Sequence, residues 1–288
     1  MLRNDVIIII GDDFMDIFSQ FKTNSFSYTH TMDIHPDSKD FRLHNHNDTY
    51  EILIFLAGNS EFRVEGTLYF PKPGDVLVTH SAEMHRMYHN EPIMPYERIV
   101  INIQSSFFAK NNCEDFKRIF TSRPLGENNL ISADETKRHN IDEIINSIDR
   151  YISDNKNTPA VLIQSKLIEL LYNLNRISFT SENVSFHDER IKSILMYINE
   201  NITSQLTLDS IADHMYINKF HLCHIFKEHT GYTLNKYITY KRILLVRELC
   251  ESGMSLIEAS SEAGFSNYSN FYKMYRKETG KSPKDDLK

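Results

Sequence analysis

The sequence predicts an α+β protein: an antiparallel β-barrel followed by helices, then an all-α domain built on two helix-turn-helix units. Three observations carry this prediction. Short apolar runs punctuated by glycine and proline fill residues 1 to about 110. The apolar period turns helical from about residue 134. A six-residue pattern, Phe226-Lys-Glu-His-Thr-Gly231, recurs 49 residues later as Tyr275-Arg-Lys-Glu-Thr-Gly280.

A chain of 288 residues suits two domains, and 41% hydrophobic with 25% charged residues is the balance of an ordinary globular protein. No run approaches the ~18 apolar residues of a membrane span. Val6–Ile10 stops at Gly11-Asp12-Asp13 and lacks the basic flank of a secretory signal, so the chain reads as cytoplasmic, with no membrane partner. Cys113, Cys223 and Cys250 are scattered and form no CxxC spacing, which argues against a disulfide framework or a zinc finger and suggests buried thiols. A net charge of −7 argues against nonspecific coating of nucleic acid. Charge is unevenly placed, however, with Lys273, Arg276, Lys277, Lys281 and Lys284 clustered near the end.

Glu51–Ala57, Glu61–Val64 and Asp75–Thr79 read as strands separated by Gly58, Gly66 and Pro71–Gly74. Val6–Ile10 has strand length as well. Ile141, Ile144, Ile145, Ile148, Tyr151 and Ile152 then form one helical stripe, which Asn155–Pro159 breaks. A second stripe runs through Leu162, Leu167, Ile168, Leu170, Leu171 and Leu174. Such stripes serve as core or as a dimer seam, and the seam is the preferred reading. The polar segment 178–187 lacks periodicity and reads as a linker. The expected division is a barrel over 1–130, a helical dimerisation or capping region over 131–178, a linker over 179–187 and an all-α domain over 188–288.

Each copy of the repeat closes a helix with glycine. Upstream, Thr207 can cap Leu208–Met215 and Asn218 can cap Lys219–His229. In the second copy Ser255-Leu-Ile-Glu258 is a capping-box sequence, Gly264 ends the helix, Phe265 plugs the corner, and Ser266 or Asn267 caps the next helix. Helix, tight turn and capped helix make a helix-turn-helix, whose second helix presents its first residues to the major groove. The candidate DNA-binding residues are Lys219, Phe220, His221, His224 and Lys227 in the first unit. In the second they are Asn267, Tyr268, Ser269, Asn270, Lys273 and Lys277. Asparagine suits adenine, and lysine suits guanine or phosphate. The bland alternative, a helical protein-interaction domain with a solvated polar face, is hard to square with the duplication.

These residues resemble the AraC/XylS family of transcription regulators. The resemblance runs from Leu206 to Lys284 and is most specific at Gly264-Phe265-Ser266, Phe271 and Thr279-Gly280-Lys-Ser282-Pro283. Ala212 and Arg242 match the family's helix-packing alanine and joining-helix arginine. Ala259-Ser260 stands where Ile-Ala is usual, Asn218 where serine is common, and Val246 for a usual alanine, which suggests a looser second core. The resemblance implies promoter DNA, RNA polymerase and a second copy of the chain as partners.

In the N-terminal half, His44-Asn-His46 precedes Glu51 and Gly58, and Pro71-Lys-Pro73-Gly74-Asp75 precedes His80 and His85. His44 and His46 would share one strand face. The pattern resembles the two motifs of the cupin barrel, which implies a divalent-metal set of His44, His46, Glu51 and His85. Regulators that carry this barrel often bind an organic effector instead, and that reading is preferred, with no cofactor. Arg42, His44, His46, Tyr50, Glu51, Arg63 and His85 are the candidate effector-binding residues, for a sugar or other small metabolite. The leading reading is therefore a regulator and not an enzyme. The rival is a metal-dependent cupin enzyme with an appended helical domain.

Overall fold

The structure is a computed structural model and describes residues 15–36, 49–91, 94–154, 158–177, 186–187 and 189–287. Val6–Ile10, Arg42, His44 and His46 lie outside them. The chain first builds β1 (Met15–Lys22), β2 (Phe26–Asp33), β3 (Thr49–Ala57), β4 (Ser60–Val64), β5 (Thr67–Tyr69), β6 (Val76–Thr79), β7 (His85–His89) and β8 (Tyr96–Gln104). Short helices α1 (Ser105–Lys110) and α2 (Arg118–Thr121) lead to β9 (Leu130–Ile131), α3 (Ala133–Arg138), α4 (Ile141–Ser153) and α5 (Ala160–Asn175). A short strand, β10 (Phe186–His187), precedes α6 (Glu189–Glu200), α7 (Leu208–His214), α8 (Lys219–Thr230), α9 (Leu234–Glu251), α10 (Leu256–Glu262), α11 (Tyr268–Thr279) and α12 (Pro283–Asp286).

Among the described residues the strands form two antiparallel sheets, ordered β1-β2-β8-β3-β6-β9 and β10-β5-β4-β7. Their facing sides share one cluster, with Leu53, Phe55 and Leu77 from the larger sheet and Phe62, Val64 and Met87 from the smaller. Alternate residues of the larger sheet, Ile52, Ile54, Val78, Ile99 and Ile101, point the other way and pack with α4 and α5. This double burial explains why β3 reads as an unbroken apolar run: both of its faces are covered.

The stripes on α4 and α5 resolve the choice left by the sequence. Ile141, Ile144, Ile145, Ile148 and Ile152, with Leu167, Leu170, Leu171 and Leu174, are all buried in the sheet's own cluster. They are core, and the preferred dimer-seam reading of those side chains is corrected. Val161, Leu162 and Tyr172 remain exposed on α5. The thiol expectation holds for Cys113, which is buried, whereas Cys223 and Cys250 are only half-buried. The end of the expected linker is also ordered against the barrel, since Phe186 and His187 pair with Leu68 and Thr67 of β5.

Candidate nucleic-acid interface and sensor interior

Local chemistry sets both ends of each reading helix. In the first unit, Thr207 and Ser210 cap α7 reciprocally. Asn218 accepts the Phe220 N–H at 2.7 Å to start α8. Leu222, Ile225 and Phe226 pin one face of α8 into the core, which turns Phe220, His221, His224 and Lys227 to solvent. Phe220 is 83% exposed, a position that burial does not explain. Lys219 is held by Asp209 at 2.9 Å. Gly231 closes the helix at φ +80, a left-handed conformation that side-chain-bearing residues adopt at a cost.

The second unit repeats the plan. Ser255 and Glu258 cap α10 reciprocally, and Asn267 accepts the Asn270 N–H at 2.8 Å to start α11. Of the two caps the sequence allowed, Asn267 is the one used. Ser266 instead accepts from the Asn270 amide at 3.0 Å. Phe265 fills the corner and packs on Phe271, with ring centroids 5.2 Å apart. Phe271 and Tyr275 anchor α11 inward, while Ser269, Lys273 and Lys277 are exposed and Asn270 half so. Tyr268 is half-buried against Phe271 and is as much a packing residue as a reading one. Arg276, exposed in the last turn, adds a cation beside Lys277 that the candidate set omitted; the basic cluster in the sequence was its signal. Ala259 and Ser260 are both buried, and Ser260 satisfies its hydroxyl by donating to the Ile257 carbonyl at 2.9 Å.

The two units are joined by α9, whose 18 residues span ~27 Å. Arg242 fixes that helix by donating to the Ile202 and Ser204 carbonyls at 2.9 and 2.7 Å. Arg247 ties it to the far end through Asp286 at 2.8 Å and the Tyr275 hydroxyl at 2.6 Å.

The sensor interior separates the candidate effector residues into groups. Glu51 and His85 meet in the buried space between the two sheets, with 3.4 Å between carboxylate and imidazole. His85 also places Nδ1 3.1 Å from the Glu83 carbonyl. Burial opposes protonation of His85, but the hydrogen bond and charge of Glu51 outweigh it and its pKa is raised. Tyr50 does not join them. Its ring packs with Phe108, Phe120 and His80 on the helix side of the sheet, because neighbours on a strand face opposite ways. Arg63 is likewise corrected. It lies outside that space, paired with Glu61 at 3.0 Å, stacked over Tyr88, and donating to the Glu228 carbonyl of α8. His80 accepts the Ala82 N–H at 2.9 Å, and burial lowers its pKa. Among the described residues, no three or more His, Cys, Asp or Glu side chains converge as a metal site. Of the proposed metal set, the described structure places only Glu51 and His85.

Known proteins match both halves. A family model described as the AraC-like ligand binding domain matches residues 33–171, and a helix-turn-helix domain model matches residues 211–288. The HTH-type transcriptional activator AarP of Providencia stuartii is 32% identical over 114 residues, which is 39% of this chain and 84% of AarP. The XylDLEGF operon transcriptional activator 1 of Pseudomonas putida is 23% identical over 260 residues, covering 83% of this chain and 74% of that protein. The match to regulatory protein PocR of Salmonella typhimurium, 31% identical, spans only 32% of PocR's length. The crystal structure of ToxT from Vibrio cholerae O395 covers 92% of this chain and 98% of its own, at 15% identity and a TM-score of 0.37, too loose a likeness to carry an argument. Among the described residues, no helix is long and apolar enough to cross a membrane.

Proposed function

The chain belongs to the AraC/XylS family of transcription regulators, and from that premise we propose that it reads promoter DNA with α8 and α11 under control of a small molecule held in the barrel. The observation that carries this is the duplicated reading helix. Each copy is capped by asparagine, pinned by buried apolar and aromatic side chains, closed by a left-handed glycine and left with an exposed polar face. His221, His224 and Lys227 on α8, and Ser269, Asn270, Lys273 and Arg276 on α11, face the groove. Phe220 offers an apolar contact suited to a thymine methyl. Glu51 and His85 serve as polar anchors for an uncharged or hydroxylated effector such as a sugar. The reading gives no residue a catalytic role and needs no metal.

RNA polymerase and a second copy of the chain complete the proposal, along with a cytoplasmic setting where promoter DNA is found. The exposed Val161, Leu162 and Tyr172 on α5, of which Leu162 belongs to the second stripe, offer an apolar surface for self-association.

Fluorescence anisotropy with the gene's own upstream DNA, against scrambled DNA at two salt concentrations, tests the DNA reading. Specific and salt-sensitive binding is expected, and a His224→Ala, Lys227→Ala, Asn270→Ala, Lys273→Ala variant should lose it. Equal binding to both DNAs, with no fragment enriched from genomic DNA, would overturn it.

A further inference from the structure

The helical domain meets the barrel at several points, and one of them, the segment between β6 and β7, also reaches the space between the two sheets. Residues 80–84 join β6 to β7, and His85 opens β7. The main-chain carbonyl of Ser81 accepts from the Tyr240 hydroxyl at 2.9 Å, and that of Ala82 accepts from the Lys241 ammonium at 2.7 Å. The carbonyl of His85 accepts from the Tyr232 hydroxyl at 2.8 Å. Met84, 4% exposed, is a member of the helical domain's own core, with Ile191, Phe226, Tyr232 and Tyr237. Glu83 roots the segment in the barrel: its carboxylate takes Arg123 at 2.6 Å and the Gly126 N–H at 2.7 Å. The His85 imidazole meets Glu51 between the sheets.

Glu65, in the turn between β4 and β5, completes the grip. Its carboxylate accepts from the Met84 N–H at 2.7 Å, the Tyr237 hydroxyl at 2.6 Å and the Lys241 ammonium at 3.0 Å, all at a nearly sealed spot. Glu65 holds φ +45, a left-handed conformation better suited to asparagine or glycine. Strain of that kind persists where surrounding contacts demand it. Next to it, a β-carbon on Gly66 would stand 2.8 Å from Ile191 and Leu195 of α6, so the turn and the helical domain approach backbone to side chain.

We infer that the 81–85 segment, gripped through Glu65, is the positioning element that sets the first helix-turn-helix unit according to what the barrel holds. The inference rests on the reading of the barrel as an effector domain. It places the linkage at main-chain carbonyls and at Met84, away from the DNA-facing side chains, which docking leaves exposed. A ligand that enters between the sheets and engages His85 displaces a residue whose own carbonyl holds Tyr232. Any such shift passes to the start of α9, whereas α11 shares none of these contacts and meets that stretch through the long Thr239–Met274 and Lys236–Glu278 contacts, at 3.7 and 4.0 Å, so it should respond less.

Hydrogen exchange on the full chain, read by mass spectrometry, tests this without DNA or effector. His85→Gln perturbs the end between the sheets. It should speed exchange in the 231–241 segment about tenfold and change α11 far less. Glu65→Asn combined with Lys241→Met opens the grip with a turn-compatible residue and no buried charge left behind. That double variant should show fast exchange at both 81–85 and 231–241, and adding His85→Gln should change the helical domain no further. Wild-type rates at 231–241 in the double variant would overturn the inference. So would equal acceleration of α9 and α11 by His85→Gln. Failure to bind promoter DNA would remove the DNA reading and leave this result standing.

Discussion

In the first helix-turn-helix unit the buried cluster takes in Met84 of the barrel, and a β-carbon on Gly231 would run into the Tyr88 hydroxyl. In the second, the cluster of Ile243, Val246, Ala259, Phe265, Phe271 and Tyr275 draws on the helical domain alone. Apart from Gly280 and its two chain neighbours, no described residue has an atom within 4 Å of where a Gly280 β-carbon would stand. Two units of one plan thus differ in ownership: the first is built jointly with the sensor, and the second stands on α9 and α12. A repeat of this kind lets one DNA-reading element report on the sensor while the other keeps a fixed geometry.

The sharpest way to break that contrast is to strand a charge at the seam. Lys241→Met leaves the Glu65 carboxylate, 3% exposed, without its ammonium partner. It should cost about 3–5 kcal/mol in urea unfolding, with the loss centred on the first unit and the barrel. Arg247→Met in the second unit breaks a pair that is 10% and 9% exposed, with Tyr275 still able to donate to Asp286. A cost of about 2 kcal/mol is expected, with barrel exchange rates unchanged.

The helix-closing glycines refine the comparison. Gly280→Ala carries only the left-handed penalty, about 1 kcal/mol by thermal unfolding. Gly231→Ala carries the same penalty plus the collision with Tyr88, so it should cost about 1 kcal/mol more. Adding Tyr88→Ala should bring the two glycine effects level. If they stay apart, the seam is not where the difference arises.

The smallest expected effect sets the sensor against the helical domain by pH. His30 lies between Glu97 at 2.9 Å and Asp149 at 3.1 Å, which joins β2, β8 and α4. Burial pulls the His30 pKa down, but its hydrogen bonds to Asp149 and Glu97 outweigh burial and raise it. The raised value means this contribution is fully present below the histidine's unfolded pKa of ~6.5 and is lost as pH rises through the folded one. The urea midpoint of wild type should therefore fall from mildly acidic to mildly alkaline pH by more than that of His30→Asn. Equal slopes would dismiss the contribution.

What the sequence made legible follows the same division. The caps, the corner Phe265 and both closing glycines are local chemistry, and they appear in the structure within a residue or two of expectation. The stripes on α4 and α5 were legible as buried faces, but periodicity carries no information about which partner buries them. Tyr50 and Glu51 were grouped at one pocket although strand alternation places them on opposite faces. The seam was not legible. Its acceptors at Ser81, Ala82 and His85 are main-chain carbonyls, which every residue has, and Met84 stands in a five-residue connection with no periodic context.

The central claim is that two capped helices read one face of DNA, and footprinting on the selected promoter fragment tests it most directly. The account predicts two protected stretches one helical turn apart, ~34 Å, on the same face. His224→Ala with Lys227→Ala should erase one stretch, and Ser269→Ala with Lys273→Ala the other. A single protected stretch that both pairs of substitutions weaken equally would contradict it.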